Sequence, residues 1–256
     1  MDGILPILYH LCCFYWGIFM RRIAYLLAAA VLSVFQSCAS SSVSLAECTP
    51  VAVVTVVGNT SVPWADEIAE SGGLISSALN KAFDGTNPER MTAQDRVDHL
   101  EESLRASLSD IAGVEVSEKE RVLSSPAYKK MRQSIYNSTV STVSASGYRD
   151  FSRLGAKSAR ILERELGVGA LVLAECVFSK RVCEGTKASG TVCGVVTLSC
   201  VVLGPDGRES IIGEVSAETD AIPVSRYSYD KDALVSMFPA AIESAARKFV
   251  VANMGM

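Results

Sequence analysis

Residues 170–203 read ALVLAECVFSKRVCEGTKASGTVCGVVTLSCVVL. Two β-branched, alternating runs flank a Glu-Gly-Thr-Lys-Ala-Ser-Gly break, which is the pattern of an antiparallel hairpin. One register sets Cys176 opposite Cys200 and Cys183 opposite Cys193, with the loop centred on Ala188. The same register gathers Val172, Ala174, Cys176 and Phe178 with Val196, Leu198, Cys200 and Val202 on one apolar face. Glu175, Ser179 and Arg181 fall with Thr197 and Ser199 on the other. Pro205-Asp206-Gly207 then turns the chain into a third strand, pairing Leu203 with Arg208 and adding Ile211, Val215 and Ala217 to the apolar face. Strands are expected at about 170–183, 190–203 and 208–219.

Opposed cysteines in an exported chain point to disulfides. Cys176 and Cys183 are seven residues apart, so the two pairs lie on opposite faces and on different kinds of ladder site. The pattern predicts at least one bridge among Cys176, Cys200, Cys183 and Cys193 and leaves a second open, as well as four thiols. The sulfurs do not converge on one face, which argues against zinc. Cys48 is left over near the tether, either as a free thiol or as a bridge between chains.

Working outward, Val51–Val57 is a continuous β-branched run ending at Gly58-Asn59, a strand buried on both faces. Ile68, Ile75, Leu79, Ala82 and Phe83 have helical spacing, interrupted at Gly72-Gly73. Thr92 stands as the cap of a strong helix with the stripe Val97, Leu100, Leu104, Leu108 and Ile111, leaving His99 outward. Gly113–Val116 reads as a short strand and Glu118–Leu123 as a helical turn. Residues 124–149, rich in Ser and Thr, read as a long surface loop. Asp150 opens a helix with Phe151, Leu154, Ala159, Leu162 and Leu166 inward, ended by Gly167 and Gly169. A last helix spans about Asp232–Ala252, with Pro239 as a kink or as its first turn. The expected fold is α/β (α+β): a single domain with a mixed sheet whose antiparallel three-strand meander, about 170–219, packs against helices.

The 256 residues are 49% hydrophobic, with Lys plus Arg 24 against Asp plus Glu 28. The apolar content excludes global disorder, and the net charge of −4 argues against nucleic acid as a partner. Mean hydropathy is +0.26, but the apolar surplus lies at the front. Ile4–Met20 is one apolar run; Arg21-Arg22 precedes a second, Ile23–Phe35, of a length suited to the core of an export signal. Phe35-Gln-Ser-Cys38 and three further serines follow. This resembles a bacterial lipoprotein signal, with Cys38 as the lipidated first residue, Met20 as the natural start, and residues 1–37 removed. An ordinary cleaved signal is the alternative, and so is a membrane span over 4–20. Residues 38–49 read as a Ser-rich tether, and 50–256 as the periplasmic domain.

His99 is the sole histidine beyond residue 37, so His-based triads and metal sites lack their key residue. No nucleophile elbow or P-loop occurs, and Gly167-Val-Gly169 precedes a strand instead of following one. No catalytic residue, metal or cofactor is assigned, and no small-molecule substrate. Tyr128, Lys129, Lys130, Arg132 and Tyr136 mix three charges with two aromatics. They form a candidate contact loop for an anionic polymer or the headgroup layer, weighed against an ordinary solvated loop.

The order of elements, with Val114-Glu-Val-Ser-Glu-Lys-Glu-Arg-Val-Leu123, Leu166-Gly-Val-Gly-Ala-Leu-Val-Leu-Ala174 and Leu198–Ile212 around Gly207, resembles a bacterial lipoprotein domain. That domain is shared by curli-secretion lipoproteins, lipoprotein activators of penicillin-binding proteins and the amino-terminal domain of TolB-type proteins. The hairpin cysteines, the Ser/Thr loop and Ala170-Leu171 depart from its pattern. The resemblance implies a non-catalytic envelope lipoprotein, held on the periplasmic face of the outer or inner membrane through Cys38. It would bind envelope proteins or itself as an accessory in envelope assembly or secretion. A ring-forming or membrane-perturbing lipoprotein is the second expectation, with 124–149 or 64–83 at the bilayer. An enzyme of unrecognised type is the third.

Overall fold

Strand β1 (Val51–Asn59) is buried along its whole length, as its unbroken β-branched run requires. The structure, a computed structural model, describes residues 44–70, 87–133, 142–151 and 154–254. Residues Val43–Met256 form one compact unit. After β1 come α1 (Ala65–Glu70), α2 (Pro88–Met91), α3 (Ala93–Asp110), α4 (Lys119–Ser124) and α5 (Pro126–Lys130). Then follow β2 (Thr142–Ser144), α6 (Ala156–Leu166), β3 (Ala170–Gly185), β4 (Ser189–Leu203), β5 (Glu209–Glu218), β6 (Ile222–Ser225), α7 (Lys231–Ser236) and α8 (Phe238–Ala252). Among the described residues the strands make one mixed sheet in the order β2-β1-β3-β4-β5, with β6 paired to the far end of β4. β1 runs parallel to β3, and β3-β4-β5 is an antiparallel meander.

The helical stripe of α3 behaves as its spacing demands: Val97, Leu100, Leu104 and Leu108 are fully buried. With α8, whose Phe238, Ile242, Ala245 and Phe249 point inward, α3 covers one face of the sheet. Close approach there uses Gly213, where a Cβ would lie 2.9 Å from the Phe249 ring. Phe178 and Phe238 meet edge to face at 5.5 Å. On the second face, α4 packs against β1 and α6 against the start of β3. Gly167 ends α6 in the left-handed region at φ 67°, the conformation that favours glycine.

Several expectations need correction. The β3-β4 ladder pairs Cys176 with Leu198 and Cys200 with Ala174, two residues away from the expected register. A two-residue slip preserves which side chains share a face, so the hydrophobic pattern could not detect it. The β4-β5 ladder is displaced likewise, Leu203 pairing with Glu209 across a bulge. Residues 124–149 are not one loop: they hold α5 and β2, and β2 pairs antiparallel with β1. Asp150 does not open a helix. Phe151 is buried outside any helix, its N–H donating to Thr55 Oγ1 at 3.1 Å, and α6 begins at Ala156.

Thr92 does not cap α3 with its side chain; its hydroxyl donates to Pro88 O at 2.9 Å. Asn87 performs that role one short helix earlier, accepting from Glu89 N. The Gly113–Val116 strand reduces to a single bridge, Val51 to Val116. β6 was not anticipated at all. Pro239 sits in the first turn of α8, after a break at Met237. Beyond Ile68, the expected stripe to Phe83 lies outside the described residues.

Candidate interaction surface

The cysteines divide unequally. Cys183 and Cys193 form a disulfide. Cys176, Cys200 and Cys48 are buried free thiols. Burial pushes the thiols of Cys176 and Cys200 far up, so neither ionises readily. Cys38 lies outside the described residues.

The candidate contact loop comes apart. Tyr128 is a core residue, 1% exposed, packed edge to face on Phe151 at 5.0 Å. Its hydroxyl donates to Val54 O at 3.1 Å and accepts from Arg149 N at 2.8 Å. Burial drives its pKa up to about 12. Lys129, Lys130 and Arg132 remain exposed at the end of α5, and Tyr136 lies outside the described residues. Thus Tyr128 is removed from the contact surface, and the described part of that surface is cationic without an aromatic.

Buried charge is concentrated elsewhere. Glu89 Oε1 meets Lys180 Nζ at 3.3 Å and accepts from the Tyr229 hydroxyl at 3.2 Å; Oε2 accepts from Val62 N at 3.1 Å. Lys180 also donates to Val62 O and lies over the rings of Trp64 and Tyr229. Burial alone would raise the Glu89 carboxyl, but Lys180 and the Val62 N–H hold it below its ordinary value. Arg96 donates to Glu89 O at 2.8 Å and spreads over Phe178 and Phe238. This network straps the chain after β1, and α2, onto β3. Glu89 and Lys180 neutralise each other away from water, while Arg96, whose Nε lacks a hydrogen-bond partner, packs on the two rings, and the network holds these segments together.

His99 shares a 3.1 Å contact with Glu243 between α3 and α8. A groove of ≈ 340 Å³ beside it is lined by Glu102, Ser103, Ser107, Asp110, Glu243 and Arg247 among others. Among the described residues no cluster of His, Cys, Asp and Glu could hold a metal ion. No helix among them is long and apolar enough to cross a membrane.

Among the described residues, no helix or further strand packs on the second face of β4 and β5 or on the free edge of β5. Across that face run Val201 opposite Ile212, Ser199 opposite Glu214, Thr197 opposite Ser216 and Val195 opposite Glu218. Ser199 Oγ donates to Glu214 at 3.0 Å, and Arg181 clamps Glu218 at 2.9 and 2.6 Å. Ile212 is 70% exposed on this face. At the inner margin Thr55, Leu173, Glu175, Ser199 and Val201 line a depression of ≈ 70 Å³. Burial, with Asp150 nearby, raises the Glu175 carboxyl above its usual value.

The edge itself has a definite polarity. Thr219 N donates to Gly194 O at 3.0 Å, which fixes the alternation of the antiparallel ladder. Val215 and Ala217 therefore turn their backbone groups toward β4, and Ile212, Glu214, Ser216 and Glu218 turn theirs outward. Lys248 Nζ donates to one of these outward carbonyls, Ser216 O, at 2.9 Å. No other described strand pairs with this edge. The alternating pattern identified β5 as a strand, but edge position is a property of the sheet order and left no mark in the sequence.

No family model matches the chain, and no curated protein matches it. Among solved structures it is similar to a candidate lipoprotein from Caulobacter crescentus, at 14% identity and a TM-score of 0.19. That match covers 32% of this chain and 61% of the other, so the chain spans about three fifths of that structure's length.

Proposed function

We propose that this chain is an exported lipoprotein, anchored through Cys38, whose α/β domain works by protein contact as an accessory in envelope assembly or secretion. The single observation that carries the protein-contact reading is the free edge of β5 with its outward backbone groups and the exposed Ile212. An open edge of ten residues without proline is a template on which an extended segment of a partner adds a strand. Exposed Glu209 and Glu214 favour a segment bearing Lys or Arg. No catalytic role is assigned to any residue.

Anchoring is tested by mass analysis of the native product and by Cys38→Ser. The expected product begins at an acylated Cys38, and the substitution releases the protein from membranes. An unacylated native chain that keeps its leader would refute the anchor. A photocrosslinking residue at Ile212 in the native cells is expected to give a discrete protein adduct that Glu214→Pro, which removes an outward N–H of the edge, abolishes. Absence of any adduct at Ile212 would remove the edge from the reading. The ring alternative is separated by sizing the detergent-solubilised full chain, since a large closed oligomer would favour it.

A further inference from the structure

β6 leads into a two-residue hairpin turn whose conformation is wrong for its residues. Ser225 N donates to Ser228 O and Ser228 N to Ser225 O, both at 2.9 Å, closing the turn around Arg226 and Tyr227. Arg226 has φ 51° and Tyr227 φ 64°, and among the described residues these are the non-glycine residues with positive φ. Consecutive left-handed residues define the turn type for which Asn-Gly is the favoured pair. An arginine and a tyrosine here oppose the local preference of the chain.

The fold gains no packing in exchange. Tyr227 is 78% exposed, the highest value among the exposed large apolar and aromatic side chains. Arg226 is exposed too, and none of the ion pairs of the described residues uses it. Only the Tyr227 backbone is engaged, its N–H donating to Ala188 O at 3.2 Å in the β3-β4 loop. That bond would survive any side chain. Neighbouring Lys187 is already neutralised by Asp66 at 2.7 Å and stacks on Trp64 at 4.7 Å. Arg226 and Tyr227 thus stand forward with their functional groups unspent.

Their place in the fold is as informative as their strain. The described chain enters at the opposite end, where Leu45 N bonds Asn253 O and Gly169 N bonds Pro50 O before β3 begins. β3 has 16 residues, so the turn stands roughly 50 Å from that entry end. The strained turn therefore stands at the end of the sheet away from the first described residues.

We propose that the Arg226–Tyr227 turn is a docking tip for a partner protein, which offers a carboxylate to Arg226 and a cleft to the Tyr227 ring. Arginine and tyrosine are the side chains that most often dominate contact energy, and arginine pairs carboxylates bidentately. Strained non-glycine residues of this kind cluster at active sites and ligand clamps. The tip is a second surface, distinct from the β5 edge.

The test uses the full-length chain in its native cells, with a photocrosslinking residue at Tyr227 or, as an exposed control, at Ser236. The tip is expected to yield a discrete protein adduct that the control lacks, and Arg226→Glu is expected to lower its yield at least tenfold while Arg226→Lys spares most of it. An unlabelled competitor carrying Arg226→Asn with Tyr227→Gly is expected to unfold about 2–4 °C higher than the native chain, yet fail to compete for the adduct. A competitor equal to the native chain, equal adducts from Ser236, or a lowered unfolding temperature would each overturn the proposal. So would phosphatidylglycerol vesicles that retain the native chain but not Tyr227→Ala, since the occupant would then be the bilayer. Adducts from Ile212 are expected to persist in the Asn-Gly variant, so failure of one surface is distinguishable from failure of the other.

Discussion

Cys183 and Cys193 are bonded although they are not ladder partners: Arg181 faces Cys193, and Cys183 sits in the bulge between Val182 and Glu184. The bulge supplies the extra residue that brings Cys183 level with its partner in a register that would otherwise keep them apart. Arg181 and Cys193 Sγ both reach Glu218 on β5, so the bridge also stands against the neighbouring strand. The ladder places Cys176 and Cys200 two residues out of register, and they stay thiols.

Removal of this bridge tests its contribution. It closes a loop of sequence separation 10, for which chain entropy gives about 2–3 kcal/mol. Cys183→Ala with Cys193→Ala is expected to lower the denaturant midpoint accordingly, with a slope equal or steeper as the unfolded chain expands. An unchanged midpoint in thiol-free buffer would show that the bridge does not constrain the unfolded chain.

Glu163 makes stability depend on pH. Its carboxyl is buried on α6, Oε1 lacks a hydrogen-bond partner, and burial with nearby Asp206 pushes its pKa up to about 7, against the opposing pull of Arg160. The folded chain therefore holds a proton that the unfolded chain releases above its ordinary value of 4.5. Stability from this group falls as pH rises from that value to about 7. Glu163→Gln is expected to raise the unfolding temperature at pH 8 and leave it nearly unchanged at pH 4, read by calorimetry across the range.

Lys180 and Glu89 form a buried pair whose loss is asymmetric. Lys180→Met leaves a carboxylate without its cation in the core and is expected to cost about 3–5 kcal/mol. Adding Glu89→Gln to Lys180→Met should recover part of that loss. Urea titration of the single and double variants measures the coupling, and strictly additive losses would contradict the pairing.

Tyr128 should respond as a core residue. Tyr128→Phe removes a hydroxyl engaged on both sides and is expected to cost about 1–3 kcal/mol, since Val54 O and Arg149 N lose their partner. Tyr128→Ala should cost about 3–5 kcal/mol by analogy with other large aromatic truncations. Lys129→Ala with Lys130→Ala, on the exposed end of α5, should stay within about 0.5 kcal/mol. Equilibrium unfolding of the three variants checks the ranking.

The amino-acid sequence determined, by itself, that β3, β4 and β5 pair as an antiparallel meander and which of their faces is apolar. The alternation in 170–203 places Val172, Ala174, Cys176 and Phe178 inward whether the register is the expected one or the observed one, because a shift of two keeps every side chain on its face. Lys180, next on the same inward row, is a charge whose buried partner the pattern does not name. The tertiary structure alone supplied that partner, Glu89, from 91 residues away, since long-range contacts leave no periodic signal. It alone fixed the bulge at Cys183 and moved Tyr128 from an apparent surface loop into the core. It alone left β5 as the open edge and held Arg226 and Tyr227 in a conformation their own preferences oppose. Local pattern specifies element and face because it acts through neighbouring residues; register, edge and strain arise only when separated segments share one packed sheet.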